Sequence, residues 1–174
     1  MDLAKLIRTI PDFPEAGIQY RDITTLLEDP AGLREAVMQL AAPYRDAPPD
    51  VVAGLDARGF IFGAAVAVEL GTGFVPIRKL GKLPGDTVQR EYKLEYGTAT
   101  LELHRDTRAS GRVLLIDDLI ATGGTAGAAV ELLREIGCEV VRAAFVVDLP
   151  DLGGADRLRA LGIAVIALVG FAGE

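Results

Sequence analysis

Residues 113–125 read Val-Leu-Leu-Ile-Asp-Asp-Leu-Ile-Ala-Thr-Gly-Gly-Thr, and no other stretch of the chain limits the fold so tightly. The apolar run 113–116 has the character of a strand buried on both faces. From Thr125 onward, Ala126, Ala129, Val130 and Leu133 recur at helical spacing. The segment therefore reads as strand, loop, helix. Its small residues, Ala121, Thr122, Gly123, Gly124 and Thr125, let main-chain N–H groups converge on one point, and the positive end of the following helix adds to the attraction. That combination is a cradle for a phosphate. Asp117 and Asp118 stand at the carboxyl end of the strand, where open α/β sheets hold their ligands, and paired carboxylates suit sugar hydroxyls or a hydrated magnesium ion. A ribose 5-phosphate satisfies both halves. Two aspartates alone would equally describe a strand that ends in polar residues before a helix cap; the Thr-Gly-Gly-Thr loop argues against that.

The rest of the chain repeats the pattern. Helices are expected at about 2–8, 30–46, 59–70 and 125–136, and strands at 51–55, 74–78, 98–104, 112–117, 140–147 and 163–169, with loops at 9–29 and 79–93. Nearly all-apolar strands alternating with helices predict an α/β fold: a three-layer parallel sheet with helices on both faces. No linker or repeat divides residues 1–174, so one domain is expected, with a small hood formed mainly by 1–30 and a flexible loop.

A second strand end, Asp56-Ala57-Arg58-Gly59, reproduces the geometry of the first, and its amides and Arg58 could grip another phosphate group. An ordinary turn with Arg58 paired to a surface carboxylate would look the same. Residues 78–93 carry Arg78, Lys79, Lys82, Arg90 and Lys93 against Asp86 and Glu91, a local balance of +3 in a chain of net charge −7. Either a solvated face or a polyanionic small ligand accounts for that. The overall negative charge argues against nucleic acid as partner. One cysteine, Cys138, and one histidine, His104, exclude internal disulfides and Cys/His metal centres, and both read as packing residues. No apolar run approaches the roughly 18 residues of a membrane span, and no secretory pattern opens the chain, so a soluble cytoplasmic protein is expected.

The 113–125 segment resembles the phosphoribosyl-pyrophosphate motif of the type I phosphoribosyltransferases. Residues 11–24, 54–63, 78–85 and 94–97 resemble further segments of that family's adenine-using branch, in the expected order. The resemblance implies transfer of a 5-phosphoribosyl group from phosphoribosyl pyrophosphate (PRPP) to adenine, giving AMP and diphosphate, with Mg²⁺ as cofactor and a homodimer as the assembly. It assigns Asp117 and Asp118 to the ribose hydroxyls and residues 121–125 to the 5-phosphate. Asp56, Ala57, Arg58, Gly59, Lys79 and Lys82 would meet the pyrophosphate, with the peptide bond after Asp56 cis. Gln19, Tyr20 and Arg21 would meet adenine, with Tyr20 stacking on the ring. Tyr20 as a core aromatic of the hood is compatible with that role. Glu95 would act at the purine N7 side, and Arg58 and Lys82 at the leaving group, Lys82 being carried on a lid that closes over substrate. The chain departs from the commonest pattern at Asp56, where many relatives have glutamate, at Leu80, where some have a base, and in a tail without tyrosine. Another purine base in place of adenine, or a non-catalytic sensor of PRPP, are the competing readings.

Overall fold

Residues 1–94 and 97–173 are described by the structure, a computed structural model. A 3₁₀ turn (Leu3–Leu6) leads into a hairpin of β1 (Arg8–Pro11) and β2 (Gln19–Asp22), followed by α1 (Thr24–Glu28) and α2 (Pro30–Ala41). Then come β3 (Val51–Leu55), α3 (Gly59–Leu70), β4 (Gly73–Lys79), β5 (Thr87–Lys93), β6 (Thr98–His104) and β7 (Arg112–Ile120). The chain finishes with α4 (Gly124–Glu135), β8 (Glu139–Asp148), α5 (Gly154–Ala160) and β9 (Ala164–Gly170). Seven strands form one sheet in the order β5, β6, β4, β3, β7, β8, β9. The five from β4 to β9 in that row are parallel, and the β5–β6 hairpin joins antiparallel at the β4 edge.

Strand alternation sorts the core into two layers. Val51, Ala53, Leu55, Val113 and Leu115 point to one face, where α4 covers them with Ala129, Val130 and Leu133. Val52, Leu114, Ile116 and Ala144 point to the other, under Phe62 and Val66 of α3 and Ala36 and Leu40 of α2. Each fully buried large apolar side chain stabilises by roughly 1.5–3 kcal/mol. An exposed ion pair contributes about 0–1 kcal/mol, so these two layers hold the sheet. Helix starts are set locally: the Asp29 carboxylate caps α2 by accepting the Gly32 N–H at 2.6 Å, and Pro30 occupies the first turn, where its missing N–H is not needed.

The expected 79–93 loop is corrected by the structure. Its second half is β5, paired along its whole length with β6, and the irregular stretch shrinks to 80–86. The expected helix at 30–46 ends at Ala41 and passes into a 3₁₀ turn at Pro43, and the one at 2–8 is only the first 3₁₀ turn. Residues 9–29, expected as loop, hold the β1–β2 hairpin and α1. Asp22 fastens that hairpin. It accepts hydrogen bonds from Arg8 and from the Thr24 N–H (3.0 Å) and hydroxyl (2.7 Å), and Arg8 foremost, then the Thr24 amide, pulls its carboxyl down to about 2.

Candidate active site

Asp117 and Asp118 lie within β7, which runs on to Ile120. Asp118 is 4% exposed and pairs with Arg58, whose Nε lies 2.5 Å from Oδ2. The partner of Arg58 is thus a buried acid of the other motif, 60 residues away, and not a surface carboxylate. Burial opposes the charge on Arg58, but Asp118 more than offsets it and raises the guanidinium above its ordinary range. The Asp117 Oδ1 accepts the N–H of Asp118 at 2.9 Å. Burial first, and the neighbouring Asp118 charge second, push the Asp117 carboxyl well above the usual carboxylate range. Gly59 lets α3 begin against this strand: a Cβ there would stand 2.7 Å from Asp117 Oδ1 and 2.8 Å from the Ile116 carbonyl.

The loop after β7 carries the expected cradle. Gly123 has φ +77° and heads α4, and a Cβ on it would sit 2.8 Å from the Gly154 carbonyl oxygen, so both the conformation and the space demand glycine. The Gly154 N–H donates to the Ala121 carbonyl at 3.0 Å, which fixes the loop to the start of α5. The first bond of α4 runs from Gly127 N–H to the Gly123 carbonyl, so the amides of Gly124, Thr125 and Ala126 precede it and face a cavity of about 160 Å³ lined by Asp117 and residues 119–126. The Thr125 hydroxyl donates to Tyr92 Oη at 3.2 Å, a link to the β5–β6 hairpin that the sequence reading lacked.

At the end of β3 the Asp56–Ala57 peptide bond is cis, as the resemblance implied. The Asp56 carboxylate accepts from Arg78 Nε (3.2 Å) and the Lys79 N–H (3.4 Å). Of the basic cluster, Arg90 is drawn off to Glu131 and Glu135 on α4, while Lys79 and Lys82 are exposed and make no ion pair within 4 Å among the described residues. Glu95 lies outside the described residues.

A second cavity, about 280 Å³, opens beside the first. Residues 18–21 line one side, Leu119, Leu149 and Leu152 the other, and Arg58 and Ala121 border it. Gln19, Tyr20 and Arg21 therefore share one cavity with Arg58, and the two cavities meet through Leu119 and Ala121. Phe13 stands edge-on to Tyr20 with ring centroids 5.2 Å apart, which stiffens that wall. The Arg21 guanidinium points elsewhere, donating to Thr9 Oγ1 (2.6 Å) and the Ala172 carbonyl (3.2 Å) and stacking on Phe171. The leucines opposite were not among the expected site residues, because in sequence they are indistinguishable from core.

A family model described as the phosphoribosyl transferase domain matches residues 23–163. The chain is 57% identical over 174 residues to the adenine phosphoribosyltransferase of Azorhizobium caulinodans, covering 99% of this chain and 97% of that one. Among solved structures, the adenine phosphoribosyltransferase of Thermoanaerobacter pseudethanolicus superposes with a TM-score of 0.92 at 43% identity, over 98% of both chains. The enzyme from Giardia lamblia, crystallised with 9-deazaadenine, superposes with a TM-score of 0.90 at 37% identity, over 98% of this chain and 96% of that one.

Proposed function

The chain belongs to the phosphoribosyl transferase family, and from that premise we propose that it transfers the 5-phosphoribosyl group of PRPP to adenine, giving AMP and diphosphate in purine salvage. One observation carries the reading: a small cavity under helix-start amides, lined by Asp117, adjoins a larger and more apolar one bordered by Arg58, whose guanidinium is paired to Asp118. A phosphorylated pentose fits the first and a planar base the second.

Displacing diphosphate from the anomeric carbon builds positive charge on the sugar and negative charge on the leaving group. No covalent nucleophile is required. In our assignment the amides of residues 121–125 hold the 5-phosphate and Asp117 and Asp118 the ribose hydroxyls. Arg58, Lys79 and Lys82, with the loop 56–59, meet the charge that grows on diphosphate. Tyr20 stacks on adenine while main-chain groups of Gln19 and Arg21 read its amino edge. A 6-oxopurine would leave an acceptor there unpaired, and that disfavours it. Glu95 is assigned to the N7 side of the base. Alignment of two bound reactants alone can be worth roughly 7–11 kcal/mol.

Among the described residues no three His, Cys, Asp or Glu side chains gather closely enough to hold a metal. Adjacent carboxylates, one already facing a guanidinium, fit an ion that arrives with its substrate, and we assign Asp117 and Asp118 to Mg²⁺ in that form. When bound, the ion neutralises diphosphate oxygens as a Lewis acid.

We also propose a homodimer through α3, on which Ile61 (43% exposed) and Val68 (82%) share an outward apolar stripe with Ala64. Val68→Asp is expected to leave a monomer by light scattering, and an unchanged dimer mass would remove this face from the interface. Among the described residues no helix is long and apolar enough to cross a membrane, and the cytoplasm is the compartment we propose.

Purified protein given adenine, PRPP and Mg²⁺ should form AMP, with adenine preferred over hypoxanthine, guanine and xanthine in direct competition. Absence of turnover with any base would overturn the assignment. Tyr20→Ala is expected to raise KM for adenine roughly 5–150-fold, the equivalent of about 1–3 kcal/mol of base stacking. KM for PRPP should stay within about twofold, and equal changes in both constants would exclude the stacking role.

A further inference from the structure

Residues 80–86 have no regular structure, yet the peptide unit at Lys82 is gripped from two sides. Glu102, in β6, is 2% exposed, and its Oε1 accepts the N–H of Lys82 at 2.7 Å and that of Leu83 at 2.8 Å. Its Oε2 faces the Thr87 hydroxyl at 3.5 Å. On the other side, Arg78 Nη1 donates to the Lys82 carbonyl at 3.3 Å, while Nε of the same guanidinium donates to Asp56. Arg78 and Glu102 are themselves partners in the β4–β6 register. A continuous set of contacts therefore runs from Glu102 through the Lys82 peptide and Arg78 to Asp56, the residue that opens the 56–59 loop.

A buried carboxylate without a cation is expensive to desolvate, and among the described residues Glu102 makes no ion pair within 4 Å. Its charge is met by two successive main-chain N–H groups, an arrangement that fixes position as much as it compensates burial. The consequence for the loop is specific. The main chain at Lys82 is anchored at donor and acceptor alike, so only its exposed side chain remains free to sweep.

We propose that Glu102 is a positioning residue for the transfer reaction: by pinning the Lys82 and Leu83 amides it sets where the Lys82 ammonium stands relative to the 56–59 loop. The inference rests on the reading of Lys82 as a cation for the departing diphosphate. It separates Glu102 from a strand residue that serves stability alone, because a positioning residue acts only through Lys82.

The test is a double-mutant cycle in steady-state kinetics with melting temperatures taken in parallel. Lys82→Ala establishes the premise, with an expected fall in kcat of tenfold or more. Glu102→Ala is expected to lower kcat about tenfold, since small misplacements of a catalytic group are costly, with KM for adenine within about twofold. Added to Lys82→Ala, it should lower kcat no further. Glu102→Gln, which keeps an oxygen at the same reach, should restore kcat to within about threefold. Glu102→Asp keeps the charge but withdraws the oxygen and should not restore it; it also serves in the cycle if Glu102→Ala does not fold. Independent, multiplying losses in the double variant would overturn the proposal, as would an unchanged kcat in folded Glu102→Ala or Glu102→Asp. An unchanged kcat in Lys82→Ala would instead overturn the reading of Lys82 itself and take this inference with it.

Discussion

Arg58→Ala is expected to lower kcat by roughly 10²–10³-fold, the loss seen when one preorganised donor to developing charge is removed. KM for adenine should move by no more than a few-fold. Arg58 borders the larger cavity and is paired to Asp118, the neighbour of the Asp117 that lines the smaller one, so in our reading it stands beside the sugar–diphosphate bond and its partner is a charge that grows only as that bond opens. A second effect accompanies the first. Asp118 is left as a buried carboxylate without its cation. Breaking a buried pair costs about 3–5 kcal/mol; the Arg58 side chain is 49% exposed, so solvent screening should bring the loss below that range. Arg58→Lys keeps the charge but loses the planar fork, and should recover melting temperature better than turnover. An Arg58→Ala variant of unchanged kcat would contradict the assignment.

Asp117→Asn should pull activity and stability in opposite directions. Its Oδ1 can still accept the Asp118 N–H, and the substitution removes a carboxyl that burial and Asp118 hold well above the ordinary range. Such a group binds its proton more tightly in the native chain than in the unfolded one. The stability this adds is fully present below the unfolded value of 3.8 and is lost as pH rises through the raised native value. Asparagine cannot ionise. The melting temperature of the variant, level with the parent near pH 3–4, should therefore rise above it as pH increases, by a few degrees if about 1 kcal/mol is relieved, since that moves a domain of this size by about 2–4 °C. Over the same range kcat/KM for PRPP should fall roughly 10–150-fold, as expected for losing a charge-assisted hydrogen bond of about 1.5–3 kcal/mol. Calorimetry across pH, paired with initial rates, checks both halves. A variant that melts lower than its parent at neutral pH would refute the account of Asp117.

What could be read from the residues depended on how locally each feature is encoded. The 59–70 helix and the 51–55 and 98–104 strands match their expected bounds, because apolar periodicity and flanking small residues define them without help from the rest of the chain. β5 was hidden although Val88, Arg90 and Tyr92 do alternate inward. It is an edge strand with charged outward positions behind a Gly/Pro-rich stretch, and that composition reads as loop. The hairpin at residues 8–22 is held by Arg8 and Asp22 instead of a buried face, and α5 buries little beyond Ala155 and Leu158, so neither leaves a periodic signal. The phosphate cradle was legible because its glycines answer to local backbone geometry. The Arg58–Asp118 pair and the leucine wall opposite Tyr20 were not, since both exist only once distant strands lie side by side.

Cys138, the chain's single thiol, is 5% exposed, and burial raises its ionisation above the ordinary range. Reagents that seek thiolates should pass the native protein by. A lone cysteine introduced at an outward position such as Gln89 would then be the unique attachment point for a fluorophore, and the response of the β5–β6 arm to added reactants could be followed in real time without first stripping the native background.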